Sequence, residues 1–180
     1  MTWRGAVLGA RLSHVHARIA LLLLAASASA VQARGSVLFA GGAWAAIDRG
    51  SGCEAISRSQ RVAPKDKVQA LAGFSFTADA RRWGEFHARL SRAPRPGASV
   101  MLTVGNQPFL LVTRGDWAWS RGPIEAQAII AAARNAPGMR IESRDGSGAR
   151  FVDPYLLDGA ATAVDAAAAR CSLRAAGKIP

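Results

Sequence analysis

Two pairs of residues in this sequence have the types and spacing needed for acid–base chemistry. Glu85 and His87 alternate along a short extended segment, so both side chains lie on one face and could act as an acid–base pair. Asp153 and Asp158 could act as paired carboxylates in glycoside cleavage. Each pair also has a simpler interpretation. Glu85 and His87 could be solvated residues on an exposed strand face, while Asp153 precedes Pro154 at a strand end and Asp158 could cap a helix.

Serine lies between two glycines twice, at residues 50–52 and 146–148. Both contexts resemble that of a nucleophile only superficially and are typical of tight turns. The chain has no Gly-x-Ser-x-Gly elbow, no phosphate-binding loop and no His-Glu-x-x-His motif. The sequence therefore predicts a non-enzymatic protein with no metal and no cofactor. The alternative is a small periplasmic hydrolase acting on a glycan or an ester.

Trp117 and Trp119 are the best candidates for ligand binding. They lie two residues apart on an extended segment, so they point the same way and could form a stacking surface for a sugar or a peptide. Arg114 and Arg121 place polar groups on either side of them, and we include both in the predicted binding site. Packing of the two indoles in the core, against the helix after Pro123, is the more common outcome, and their solvent exposure distinguishes the two.

Residues 1–33 are typical of a secretory signal peptide. Arg4, Arg11 and Arg18 form a basic start without an acidic residue, and a short apolar stretch ends in small residues suited to cleavage after Ala30 or Ala33. The apolar stretch is too short to span a bilayer, and the later chain has no transmembrane segment. A buried N-terminal helix is the alternative. We expect an exported protein, periplasmic or secreted, in which residues 34–180 form one domain.

Export determines how the two cysteines are interpreted. In an oxidising compartment an even number of cysteines favours a disulfide, and only Cys53 and Cys171 are present. A metal site needs more ligands than two cysteines. A catalytic cysteine would need His87 as its base, because the other histidines leave with the signal peptide. The sequence therefore predicts a bond between Cys53 and Cys171.

The chain is strongly basic, with a formal net charge of +11. Removal of the signal peptide lowers the number of Lys and Arg from 23 to 20 and leaves the 12 acidic residues, so the net charge becomes +8. The basic residues are scattered and are not interleaved with aromatic residues. We therefore expect a solvated basic surface, attraction to anionic envelope components, and no specific binding of nucleic acid.

Apolar–polar alternation predicts many short strands and two helices. Ser36–Asp48 is interpreted as one strand interrupted at Gly41-Gly42, and Gly105-Asn106 and 145–148 as hairpin turns. One helix begins at Gly122-Pro123 and ends near Asn135. The other begins near Asp158, with Val164, Ala168 and Cys171 on its inward face. The expected fold class is α+β: a mainly antiparallel, sandwich-like sheet assembly, with one helix between late strands and one at the C-terminus.

These elements also resemble those of a known family. "GDWAWSRGPIEAQAIIAAARNA" followed by "PGMRIESRDGSGARFVDPYLLDGAATAVDAAAARC" is similar to the C-terminal half of invasion-associated locus B proteins, which are exported bacterial proteins. The resemblance covers about residues 40–171, and its positions are Trp44, Cys53, Met139, Gly148, Asp153, Tyr155, Leu157, Gly159, Ala163 and Cys171. Some members carry additional cysteines mid-chain, and residues 101–119 here have none.

The resemblance implies an extracytoplasmic, single-domain, mostly β protein whose family is linked by name to host-cell invasion. It supplies no catalytic residues. Together with the composition it leads us to expect a non-catalytic envelope protein that binds an envelope component or a partner protein.

Overall fold

Ten strands and two helices make up the part of the chain that the computed structural model describes, which is Met1 and residues 35–179. The strands are β1 Ser36–Gly41, β2 Trp44–Asp48, β3 Gly52–Arg58, β4 Leu71–Thr77, β5 Trp83–Arg89, β6 Val100–Val104, β7 Gln107–Arg114, β8 Trp117–Trp119, β9 Gly138–Arg144 and β10 Arg150–Leu156. Helix α1 is Pro123–Ala133, and helix α2 is Ala160–Ala175. The signal-peptide prediction falls almost entirely on residues outside this description.

The strands form one antiparallel sheet in the order β1-β2-β3-β4-β5-β8-β7-β6-β9-β10. β8 is inserted between β5 and β7, which places its two tryptophans beside His87 of β5. The fold class predicted from the sequence is confirmed, with α1 between late strands and α2 at the C-terminus.

The last strand returns to the first half of the sheet. The indole N–H of Trp44 in β2 donates to the carbonyl of Leu156 in β10 over 2.8 Å. The backbone N–H of Gln60, after β3, donates to the carbonyl of Pro154 over 2.8 Å. These bonds join β10 to β2 and to the segment after β3.

The interior is built from the inward residues of the strands and one side of each helix. Phe74, Phe86, Phe151 and Tyr155 are its largest fully buried side chains. Helix α2 packs over β1 to β4, and helix α1 packs over β5 to β7. The buried side of α2 consists mostly of alanines, which allow the helix to lie close to the sheet. Val164 and Cys171 of the predicted inward face are buried, whereas Ala168 is only half-buried; Thr162, Asp165, Ala169 and Ser172 on the other side of the helix face solvent.

The predicted disulfide is confirmed. Cys53 of β3 and Cys171 of α2 are bonded, with 5.8 Å between their Cα atoms. Both residues are buried, so the bond ties the C-terminal helix to β3 from the inner side of the sheet.

Two local predictions were wrong. Ser36–Asp48 is a hairpin of two strands, because Gly42 has a positive φ of 57° that turns the chain; the register shift lies instead between Val37 and Phe39. Asp158 makes no cap to α2, since Gly159 occupies the N-cap position in the left-handed conformation with a φ of 83°. The carbonyl of Asp158 accepts a hydrogen bond from Ala43 N–H at 3.0 Å, which ties this chain segment to the β1–β2 turn.

Within residues 35–179 no helix is both long and apolar enough to cross a membrane.

Candidate functional site

The outer face of the sheet carries a concavity of about 640 Å³, which we call the tryptophan concavity. It lies across five neighbouring strands, β3, β4, β5, β8 and β7. Successive side chains of a strand point to opposite faces of the sheet. Since the apolar residues of these strands pack inward, the polar residues next to them in the sequence point outward. The residues that line it are Glu54, Ser75, Arg82, Glu85, His87, Val112, Trp117, Trp119 and Ser120.

His87 is at the centre of a hydrogen-bonded chain across three strands. Its Nε2 lies 2.7 Å from Glu54 Oε1, and its Nδ1 lies 3.1 Å from Ser75 Oγ. The Glu54 and His87 side chains are only 16% and 7% exposed. The prediction that Glu85 and His87 could be two solvated residues was therefore wrong for His87, whose neighbours on β3 and β4 cover it.

The acidic partner of His87 is also different from the one the sequence suggested. Glu85 lies on the same concavity, but its ion pair is with Arg82 at 3.6 Å. In the β3–β4–β5 register, Glu54 lies opposite Ser75, whereas His87 lies opposite Gly73 of the intervening strand β4. The imidazole therefore reaches Ser75 and Glu54 diagonally, over the position of Gly73. The missing side chain at Gly73 leaves room for the imidazole: a Cβ there would lie 3.0 Å from His87 Cε1 and 2.5 Å from the carbonyl oxygen of Ala55.

Glu54 is held in its charged form. Burial raises the pKa of this carboxyl, but hydrogen bonds from His87 and Arg49 outweigh burial and lower the pKa below its ordinary value. Arg49 reaches the second carboxylate oxygen, with its Nη2 2.7 Å from Oε2. Glu54 thus presents a negative charge to the imidazole at neutral pH.

The two tryptophans form the apolar side of the concavity. Their ring centroids are 6.3 Å apart and the planes differ by 17°, and Trp117 also lies 6.3 Å from the His87 ring. Both indoles are half-buried, while Ala118 between them is fully buried in the core. The tryptophans therefore face outward and do not pack in the core against α1.

The two predicted arginines are placed differently from each other. Arg114 is exposed and lies opposite Trp117 in the β7–β8 register, and it has no ion pair within residues 35–179. Arg121 is bound to Glu125 in the first turn of α1, with its Nη2 3.0 Å from Oε1. The structure therefore brings Arg114 together with Trp117 and Trp119, whereas the side chain of Arg121 is paired with Glu125 at the start of α1.

Asp153 and Asp158 do not form a carboxylate pair on a shared cleft. Asp153 is fully buried and accepts a hydrogen bond from Ser91 N–H at 2.9 Å, whereas Asp158 is exposed beyond the end of β10. Among the described residues, Asp153 Oδ1 and the Tyr155 hydroxyl are buried without a hydrogen-bond partner. Burial, together with the nearby charge of Asp153, raises the pKa of Tyr155 above its ordinary value.

Sequence reasoning missed Glu54 and Ser75. Each is a polar residue between inward apolar neighbours on its own strand, which is a signal for an outward position. Their proximity to His87 depends on the β3–β4–β5 register, which the alternation of a single strand does not specify.

Searches against family models, curated proteins and solved structures find no significant match to this chain.

Proposed function

We propose that the protein is an exported, non-catalytic envelope protein that binds an envelope component or a partner protein at the tryptophan concavity. One observation carries the proposal. Two nearly parallel, half-exposed indoles lie beside the His87–Glu54 pair on an open concave surface. Tryptophan combines a large apolar area with an N–H donor and so is suited to interfaces that are partly apolar and partly polar.

The surroundings of the indoles define the chemistry of the bound group. Val112, which is 47% exposed, lies opposite Trp119 and extends the apolar surface onto β7. Arg114, opposite Trp117, adds a positive charge to the same side. A ligand with an apolar or C–H-rich face and an adjacent anionic or hydroxyl group matches this arrangement.

The proposal that the protein is exported is based on its sequence, and export would place the protein at the cell envelope. The N-terminal residues have a signal-peptide pattern, and the chain resembles the invasion-associated locus B family. The Cys53–Cys171 bond agrees with an oxidising compartment.

The test is affinity capture from a detergent-solubilised envelope extract with the mature protein and with Trp117→Ala/Trp119→Ala. We expect a defined component to be retained by the wild type and lost with the double variant. Leu156→Ala/Leu173→Ala is the matched control, because these residues are 46% and 41% exposed and do not line the concavity. Equal capture by all three proteins would show that the tryptophans are not the contact surface.

The Ser75–His87–Glu54 chain favours a second candidate, hydrolysis of an ester. A hydroxyl, an imidazole and a carboxylate stand in the order of nucleophile, base and orienting acid. Ser75 Oγ would add to the acyl carbon while its proton moves to His87 Nδ1. The imidazolium would then protonate the departing alcohol, and water would release the acid from Ser75. Arg82, which lines the same concavity and is paired with Glu85, is the cation that would stabilise the oxyanion.

Labelling with a fluorophosphonate and turnover of a p-nitrophenyl ester distinguish the two candidates. The hydrolase requires labelling at Ser75 and loss of turnover in Ser75→Ala and His87→Ala, with Ser51→Ala in the β2–β3 turn as the control. Absence of labelling and of turnover in the wild type leaves the binding function and rejects the hydrolase.

A further inference from the structure

A second cavity lies under the connection between β3 and β4, which spans residues 59–70, and we call it the loop pocket. Its volume is about 480 Å³, which is within the range of small-molecule sites. Most of its wall is apolar and is formed by Val62, Ala63, Pro64, Val68 and Ala70. None of its lining residues belongs to the tryptophan concavity.

Hydrogen bonds within the loop fix the shape of the loop pocket. The amide of Gln69 accepts from Ala63 N–H at 2.9 Å and donates to the carbonyls of Ser59 and Arg61 at 3.1 and 3.2 Å. Ser59 is itself tied to β10, since its hydroxyl donates to the carbonyl of Pro154 at 3.1 Å. A loop braced at both ends can hold a cavity open before a ligand arrives, which lowers the entropic cost of binding.

The mouth of the loop pocket is positively charged. Arg61, Lys67 and Arg92 line it, and Arg92 is neutralised by Asp145 at 2.8 Å. Arg61 and Lys67 are exposed and have no ion pair within the described part of the chain. Val62 is 82% exposed at the same mouth, so an apolar side chain stands beside two uncompensated cations.

We propose that the loop pocket binds a single-chain anionic amphiphile, with the acyl chain against the apolar wall and a carboxylate or phosphate head at Arg61 and Lys67. The apolar wall selects for a hydrocarbon chain, because burial of apolar surface is favourable in proportion to its area. The two cations select for an anionic head over a neutral or cationic one. A small anion without a chain would leave the apolar wall uncovered.

Isothermal titration of the mature protein with twelve-carbon amphiphiles below their micelle concentrations tests the chemistry. We expect dodecanoate and dodecyl phosphate to bind with one site per chain. Dodecyl maltoside and dodecyltrimethylammonium should bind at least about tenfold more weakly, and inorganic phosphate should not bind measurably. Equal affinity for the anionic and cationic amphiphiles would overturn the proposal. So would binding that occurs only with anionic vesicles, since that would indicate a membrane surface and not a pocket.

Substitutions in the lining test whether the ligand binds in the loop pocket. Arg61→Glu/Lys67→Glu should weaken dodecanoate binding at least about tenfold. Val68 is a half-buried residue of the apolar wall, so the larger side chain of Val68→Phe should occupy part of the cavity and weaken the binding of both anionic ligands by a similar factor. Arg58→Glu/Lys65→Glu is the matched control, because it changes the net charge equally at exposed positions that do not line the pocket. Thermal unfolding checks that each variant folds. Unchanged affinity in both Arg61→Glu/Lys67→Glu and Val68→Phe would refute the site. Trp117→Ala/Trp119→Ala should leave this binding intact, so the loop pocket and the proposed function can fail independently.

Discussion

Cys53 and Glu54 are neighbours in β3, yet they belong to two polar regions with opposite character. Cys53 points inward, to the disulfide with α2 and to the Asp48 cluster, which we define as Asp48, Arg170 and Arg174. Glu54 points outward, to the His87 cluster of Glu54, Ser75 and His87. One strand therefore supplies a covered region on one face and an open region on the other.

The two clusters differ in how completely their polar groups are satisfied. Asp48 is buried and accepts bonds from Arg170 Nε at 2.6 Å, from Arg174 Nη2 at 2.9 and 3.0 Å, and from Gly50 N–H at 2.8 Å. The His87 cluster opens into a concavity beside two half-exposed indoles. A saturated cluster under a helix holds the fold together, whereas an open cluster beside apolar rings is available to a ligand. We therefore expect changes in the inner region to affect stability and changes in the outer region to affect binding.

Removal of the disulfide should have the largest effect on stability. The bond closes a loop of 118 residues, for which the chain-entropy model gives about 4–5 kcal/mol, with native-state strain and residual structure in the unfolded chain reducing that value. Cys53→Ala/Cys171→Ala should lower the free energy of unfolding in urea by about 2–5 kcal/mol. Ligand capture by the folded fraction should persist, because the bond lies on the inner face. A loss below about 1 kcal/mol would mean that packing alone holds α2 in place.

Asp48→Asn should have the next largest effect, about 2–4 kcal/mol at pH 7, because it leaves two arginines without their buried counter-charge. The effect should depend on pH. Hydrogen bonds from Arg174, and then Arg170, outweigh burial and hold the pKa of Asp48 well below its ordinary value. The stabilisation is therefore complete above the unfolded-state pKa, about 3.9, and is lost as the pH falls through that value towards the folded-state pKa.

Urea unfolding at several pH values from 7 to 2 measures this dependence. The difference in stability between the wild type and Asp48→Asn should be constant from pH 7 to about 5 and should shrink below about pH 4. A difference that stays unchanged down to pH 2 would contradict the charge-based explanation.

The comparison also shows which features the sequence could predict. The disulfide of the inner region could be predicted from local patterns, because the sequence has only two cysteines and helical spacing places Cys171 inward. The Asp48 cluster of the same region was not predicted. The outer region depends on register. Glu54, Ser75 and His87 come from three strands, and a shift of one residue in either pairing would separate them.

The errors at the candidate site have the same origin. Alternation identified the faces of Glu85 and His87 but not which acidic residue the sheet would bring to the imidazole. The exposure of Trp117 and Trp119 depended on the insertion of β8 between β5 and β7, which no local signal indicates.

Gly73→Ala should affect both stability and ligand capture, with a smaller loss of stability than Asp48→Asn. The added methyl group would lie 2.5 Å from the carbonyl oxygen of Ala55 and 3.1 Å from His87 Nε2, so both β3 and the imidazole must move. We expect a loss of about 1–3 kcal/mol in the free energy of unfolding, together with weaker capture at the tryptophan concavity. Gly146→Ala is the control, since its Cβ would meet no atom within 4 Å. Full capture by Gly73→Ala would show that the position of His87 does not matter to the bound ligand.

Asp158→Ala should have the smallest effect on the free energy of unfolding. This variant tests whether the side chain of Asp158 caps α2, as the sequence suggested, or whether only its backbone carbonyl contributes. An N-cap aspartate contributes about 1 kcal/mol to stability. The side chain of Asp158 makes no cap here, and the residue's structural contribution is its backbone carbonyl, which a substitution to alanine retains. We therefore expect a change within about 0.5 kcal/mol in urea unfolding.

Gly159→Ala, one residue further along, provides the contrast. Gly159 has a φ of 83°, and a Cβ there would overlap the carbonyl oxygen of Gly41, so the substitution must displace either α2 or the β1–β2 hairpin. Its loss of stability should far exceed that of Asp158→Ala. A loss of about 1 kcal/mol or more in Asp158→Ala would restore the capping role that the sequence suggested, and it would mean that α2 begins one residue earlier in solution.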